Sequence, residues 1–201
     1  MAYKMAESVK YEATSFVDTI DTGKHVVLFY ETFEYGLMLQ FQFMKNGLLK
    51  GEQCIYGTHG DPKYIENQMA YSGINVEEFG RKDLLHVYNI PNPMNDPEGP
   101  LKGAEKIAKQ LLVESKPPFR IISTFIPEIN TEAQMIAELD IERNRHASFG
   151  NLQCSWLCPY DLDNIEEGIK EKFMDGLMRN HHAVVSASRS GAGVGFDIRQ
   201  V

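Results

Sequence analysis

The stretch Val26–Tyr56, "VVLFYETFEYGLMLQFQFMKNGLLKGEQCIY", frames the reading of the whole chain. Val26–Tyr30 is a short apolar run, the pattern of a strand buried on both faces. After "ETFEYG", Leu37, Phe41, Met44 and Leu48 recur at helical spacing, and Leu39 and Phe43 widen the stripe. A helix apolar over so much of its girth lies against a sheet or a partner. Asn46–Gly47 reads as its end, and Gly51 punctuates the chain before a second apolar run, Cys54–Thr58. Such a frame commonly surrounds a phosphate-binding loop. The loop here has no lysine and a single glycine.

The same rhythm continues in both directions. Val9, Ala13, Phe16, Val17 and Ile20 predict an amphipathic helix over about residues 6–21, with Gly23 as its stop. A short helix around Tyr64–Met69 follows the second strand, and Leu84–Tyr88 is a third strand. Pro91, Pro93, Pro97 and Pro100 make the next segment a loop. Leu101–Leu112 carries a helical stripe, Phe119–Phe125 is a strand, and the capping pattern "TEAQ" opens a helix running to about His146. Leu152–Cys158 is a fifth parallel strand, and a helix carries Ile165, Ile169, Phe173 and Leu177. Ala183–Ser188 and Phe196–Arg199 are read as a hairpin about "SGAGVG". Alternating strands and helices predict one α/β domain, a three-layer, mostly parallel sheet. Residues 1–22 form its N-terminal helix, 23–185 the core, and 186–201 a hairpin or tail.

Ligands of such sheets bind beyond the carboxyl ends of the strands. Here those ends are Tyr30–Tyr35, Thr58–Asp61, Tyr88–Pro100, Ser123–Pro127 and Cys158–Asp161. The 201 residues suffice for a full core, and 43% hydrophobic with 24% charged residues is the balance of a soluble globular protein. A net charge of −8 argues against a nucleic-acid surface. No apolar run is long enough to span a bilayer, and the first residues lack a signal core, so no membrane partner is expected. Three cysteines in so long a chain fit a reducing cytoplasm rather than a disulfide scaffold.

The segment "LQFQFMKNGLLKGEQCIYGTHGD" resembles the first-helix-to-second-strand region of KaiC, a RecA-like ATPase of the P-loop superfamily. The chain is more similar still to the MEDS domain, the sensory region of the methylotroph regulator DcmR and its relatives. "HVVLFYE", "GLLKGE", "LCPYD" (Leu157–Asp161) and "HHAVV" (His181–Val185) carry that resemblance in order. It implies a RecA/KaiC-like P-loop NTPase fold with degenerate Walker A and Walker B motifs. It also implies a non-catalytic domain that senses a small molecule, apolar or hydrocarbon-derived. MEDS domains are often joined to helix-turn-helix or signalling domains. This length leaves no room for one, so the expected output is a protein partner or self-association.

The missing chemistry is specific. A phosphate loop needs glycines for its N–H cradle, a lysine, and a hydroxyl for magnesium. Tyr30–Leu37 offers Thr32 and Gly36, while Glu31 and Glu34 repel phosphates by more than about 1 kcal/mol. "THGD" keeps only Asp61 of the acidic pair that KaiC-like ATPases carry there, and Ser123–Thr124 stands where their magnesium-positioning Asp would be. Hydrolysis is therefore not expected, and neither a catalytic residue nor a cofactor is assigned. Nucleotide binding without hydrolysis and a KaiC-like oligomeric assembly module remain the alternatives.

The expected ligand-binding residues are Tyr30, Glu31, Thr32, Phe33, Tyr35, His59, Asp61, Thr124, Cys158 and Tyr160. Tyr30, Phe33 and Tyr35 either wall a new pocket or plug a vacated one. Cys158 at a strand end is a reactive thiol, a single ligand or a buried structural cysteine. It shares a strand face with Cys154 about 13 Å away, too far for one metal. His181–His182 chelates poorly alone, since adjacent side chains diverge. A site would need His25, His59 or Asp61, and the sequence does not bring these together. No metal is assigned. Arg143–His146 reads as a helix-end cap first and as an anion contact second.

Overall fold

The computed structural model describes residues 11–113 and 115–198. The chain opens with β1 (Tyr11–Glu12), α1 (Ala13–Thr19), β2 (His25–Tyr30), α2 (Phe33–Lys50) and β3 (Gln53–Thr58). Next come α3 (Pro62–Tyr71), α4 (Val76–Arg81), β4 (Leu85–Asn89), α5 (Pro100–Leu112) and β5 (Phe119–Ile122). It closes with α6 (Glu132–Ser148), β6 (Cys154–Asp161), α7 (Glu167–Met178), β7 (Ala183–Ala187) and β8 (Gly193–Asp197).

The strands form one sheet in the order β1-β8-β7-β2-β6-β5-β3-β4. Every pairing from β7 to β4 is parallel, and β8 runs antiparallel to both β7 and β1. Alternation along β2 sorts the core into two layers. Val26 and Leu28 pack with residues of α1, α2 and α3, while Val27 and Phe29 pack with α5, α6 and α7. From β2 the chain crosses through α2 toward β3; from β6 it crosses through α7, in the other layer, toward β7. β2 and β6 are neighbours, so the switch point of the sheet lies between them. Among the described residues, no helix is long and apolar enough to cross a membrane.

Several elements differ from the sequence reading. α1 starts at Ala13, and the expected residues 6–10 lie outside the described residues, as does Arg199 of the expected hairpin. β5 stops at Ile122, so Ser123–Phe125 is irregular. α4 was not anticipated; it is short and buries no residue, so it has no apolar stripe to read.

The most instructive difference is Gly47, which does not end α2. The helix continues to Lys50 and stops at Gly51, whose φ of 76° is left-handed and suits glycine. Gly47 is buried inside the helix because Arg120 of β5 passes over it. A Cβ there would meet Arg120 Cδ at 2.5 Å and Cys54 Sγ at 2.8 Å. Arg120, 1% exposed, donates Nε–H to Glu52 Oε2 at 2.5 Å and its remaining groups to the carbonyls of Phe43 and Ile20 at 3.1 and 3.0 Å. Its guanidinium also stacks on Phe43. "NGLLKGE" is thus a seat for one buried arginine: Gly47 leaves the space, Gly51 turns the chain, and Glu52 neutralises the charge.

Candidate functional site

A crevice of about 190 Å³ opens at the carboxyl ends of β2, β3, β5 and β6, at the switch point. Tyr30, Phe33, Tyr56 and Tyr160 form aromatic walls, joined by Leu37, Ile65, Ile126, Ile129 and Ile165. Gln40, Thr58, His59, Thr124 and Asp161 supply the polar points. Among the described residues, no lysine or arginine lines it. At about 30 Å³ per water the space equals about six waters, small beside ordinary drug-sized pockets.

The polar groups are partly committed. Tyr56 donates to Gln40 Oε1 at 2.7 Å, and burial together with Tyr30 pushes its hydroxyl pKa up. Tyr30 is raised likewise, by burial and then by the Asp161 carboxylate. His59 lies between the carbonyls of Ile90 (Nδ1, 3.1 Å) and Thr124 (Nε2, 3.2 Å), which clamps the ring across two strand ends. Burial lowers its pKa, against those two acceptors. Asp161 accepts from Asp163 N–H and Asn164 Nδ2, and burial raises its pKa.

Of the ten residues picked out in the sequence, Tyr30, Phe33, His59, Thr124 and Tyr160 meet in this crevice. Only two residues, Glu31 and Thr32, connect β2 to α2. The Tyr30 ring fills the space over the first turn of α2, where a Cβ on Gly36 would meet it at 2.6 Å. Phe33 is 44% exposed at the mouth. Glu31, Thr32, Tyr35, Asp61 and Cys158 do not join them. Glu31 accepts from the Arg189 N–H at 2.7 Å, and Asp61 caps α3 through Lys63 N–H. The Tyr35 hydroxyl faces Gly193 of β8, away from the crevice. Thr32 stands at the N-cap of α2.

Cys158, two residues before Tyr160 on the same face of β6, points into a polar cluster sealed in the core. His25, Glu142, Cys158 and His181 are all 0% exposed, and one ligand-type atom from each lies within 4.8 Å of all the others. His25 Nε2 is 3.2 Å from Glu142 Oε2 and 3.4 Å from Cys158 Sγ; His181 Nε2 is 3.6 Å from Glu142 Oε2. The two imidazoles stack with centroids 3.9 Å apart. Arg145, sandwiched over Phe125 and Trp156, donates to Glu142 Oε1 at 3.2 Å and to Cys158 Sγ at 3.3 Å. Glu138 accepts from the N–H groups of Phe125 and Ile126 and from Tyr160 Oη.

Burial dominates the electrostatics here. It lowers His25 to about 4 and His181 well below the usual imidazole value, and it raises the Cys158 thiol. Burial and the neighbouring Glu142 push Glu138 up to about 7. Burial also works against Glu142, but Arg145 and His25 outweigh it and hold the carboxylate form. Tyr160 joins the two regions: it lines the crevice, and its hydroxyl, with one proton to give, lies 2.8 Å from Glu138 Oε1 and 3.0 Å from Glu142 Oε1.

Sequence reasoning paired His181 with His25 only as one option, missed Glu138 and Glu142, and took Arg145, within Arg143–His146, for a helix-end cap, whereas its guanidinium is buried against Glu142 and Cys158. A signal was present. Met135, Glu138, Ile141, Glu142 and Arg145 follow helical spacing and form the buried face of α6. Charged residues interleaved on an apolar stripe mark a polar core cluster. His59 and Asp61 lie elsewhere.

The family model described as "MEDS: MEthanogen/methylotroph, DcmR Sensory domain" matches residues 24–182. No curated protein matches the chain. Among solved structures, the chain is similar to protein PH0250 of Pyrococcus horikoshii OT3, with 12% identity, a TM-score of 0.56 and 90% of each chain covered. It is also similar to the KaiC-like protein PH0186 of the same organism: 14% identity, TM-score 0.53, covering 90% of this chain and 82% of that one. At these identities the likeness shows a shared fold, and nothing about activity.

Proposed function

The chain belongs to the MEDS family of sensory domains, and from that premise we propose that it binds a small uncharged organic molecule in the crevice at the switch point, without catalysis. The observation that carries this reading is the crevice lining: aromatic and aliphatic walls, a few neutral polar groups, and no cation to meet a phosphate. The Tyr30 ring over Gly36 covers the helix N-terminus that would otherwise attract an anion. We read the two-residue Glu31–Thr32 connection as a degenerate Walker A loop, and Ser123–Thr124 as the remnant of a Walker B end. Occupancy is transmitted by protein contacts, since Phe33 at the crevice mouth also belongs to the outer surface of α2.

The test is thermal unfolding of the full chain with short-chain alcohols, aldehydes and haloalkanes, and separately with Mg-ATP. A ligand at 100 times its dissociation constant adds about 2.7 kcal/mol of stability. The expected result is a shift with one of the small organics that vanishes in Thr124→Trp, which fills the crevice. A shift with Mg-ATP alone would instead support nucleotide binding without hydrolysis and overturn this reading.

An assembly module is the second reading, favoured by one observation. A groove of about 470 Å³ runs between α2 and α3, lined by the exposed Phe33, Met38 and Tyr64. The sheet-facing side of α2 is fully used by the core, so any self-association would use this outer groove. Light scattering giving a monomer at all concentrations would exclude it.

A further inference from the structure

We propose that His25, His181, Cys158 and Glu142 form a buried, four-ligand site for a divalent transition metal, zinc first. The donor set is a zinc set: two imidazoles, one thiolate and one carboxylate. Its softness disfavours magnesium and calcium, which take oxygen ligands. The spacing fits as well. Metal–ligand bonds of about 2.0–2.3 Å in a tetrahedron put neighbouring donors about 3.3–3.6 Å apart. Four of the six donor separations are 3.2 Å (His25–Glu142), 3.4 Å (His25–Cys158), 3.6 Å (His181–Glu142) and 3.9 Å (Cys158–Glu142), and all six lie within 4.8 Å, so the widest pairs draw in when an ion is held.

A second, independent observation points to a ligand. His181 donates Nδ1–H to the Leu177 carbonyl at 2.7 Å, which leaves the lone pair on Nε2. That atom faces the cluster, is fully buried, and has no hydrogen-bond partner among the described residues. A buried acceptor left unpaired costs about 1–3 kcal/mol, and a metal ion removes that cost. The Leu177 bond is the outer-shell contact that orients metal-binding histidines.

The charges also close. A dication with Arg145 carries three positive charges. Glu142, Glu138 and the Cys158 thiolate carry three negative ones. Glu138 accepts from two backbone N–H groups, and a dication close by favours its ionised form. Metal binding displaces the Cys158 proton to solvent. The site ties β2, β6, α6 and the segment before β7 together from inside, so its role is closed and structural rather than catalytic. Tyr160 connects it to the crevice, and the proposal does not depend on what the crevice binds.

The experiment uses the full chain, stripped with a chelator and titrated with Co²⁺ and Zn²⁺. The expected result is one metal per chain, visible Co²⁺ bands of tetrahedral intensity, and a near-ultraviolet thiolate-to-cobalt band. That band should persist in Cys54→Ala/Cys154→Ala, where Cys158 is the sole thiol, and vanish in Cys158→Ser. His181→Leu, folded by circular dichroism, should bind Co²⁺ about 100-fold or more weaker, beyond the loss typical of outer-shell changes. Should a single variant fail to unfold cooperatively, the double cysteine variant still decides. A folded, stripped chain that takes up neither metal, or a thiolate band lost in the double cysteine variant, would overturn the proposal.

Discussion

Replacing Glu52 by alanine strands a buried cation. Arg120 is 1% exposed, and its Nε–H···Oε2 contact with Glu52 at 2.5 Å is, among the described residues, its sole contact with a carboxylate; its other two bonds go to neutral carbonyls. Removing one partner of such a pair typically costs about 3–5 kcal/mol, because the other charge stays buried without compensation. For a domain of this size each kcal/mol moves the melting temperature by about 2–4 °C, so Glu52→Ala should lower it by about 6–20 °C. The double variant Glu52→Ala/Arg120→Met removes both charges and keeps an unbranched apolar chain over Gly47. It should lie within about 2 kcal/mol of the unsubstituted chain, and the difference is the coupling. Urea unfolding followed by fluorescence reports directly, because Trp156 is the single tryptophan and is buried beside β5. A loss below about 1 kcal/mol for Glu52→Ala, or a double variant showing simple additivity, would refute the role assigned to the "NGLLKGE" seat.

Four further outcomes are expected. Gly47→Ala forces a Cβ to 2.5 Å from Arg120 Cδ; overpacking of about 1–3 kcal/mol exceeds the helix-propensity gain of about 1 kcal/mol, so denaturation should show a net loss. Gly80→Ala in α4 meets nothing within 4 Å and should instead stabilise by about 0.5–1 kcal/mol in the same assay. Tyr160→Phe deprives Glu138 and Glu142 of a shared buried donor, for a loss of about 1–3 kcal/mol in urea titration; an unchanged midpoint would contradict that bond. His59 has a folded pKa below its unfolded value, so its contribution is present above about pH 6.5 and is lost as pH falls through the folded pKa. Stability curves at pH 7.5 and 5 should therefore converge more for His59→Asn than for the unsubstituted chain.

Much of the frame was legible in local pattern. The run His25–Tyr30, the stripe of α2 and the proline break before α5 report which residues are buried, and burial periodicity distinguishes strand from helix without knowledge of the neighbours. The capping pattern at Thr131 was equally local: its hydroxyl accepts from Gln134 N–H at 3.2 Å. That the segment after β2 carries no lysine and a single glycine was visible for the same reason, since a phosphate loop is a contiguous string.

The sites were not contiguous, and there the sequence ran out. Whether Gly47 stops a helix or makes room inside one depends on Arg120, 73 positions away, lying across it. Tyr35 stands two residues from Phe33 yet faces β8 rather than the crevice, because a helix turns about 200° in two residues. Cys158 shares a face of β6 with Tyr160, which lines the crevice, but it lies two residues earlier on the strand, so its side chain is enclosed in the core beneath the crevice. There it meets His25, Glu142 and His181 from three other segments. Pattern along the chain reports how much of each residue is buried. Which buried residues share one space is a property of strand order and register, and those are set by packing of the whole sheet.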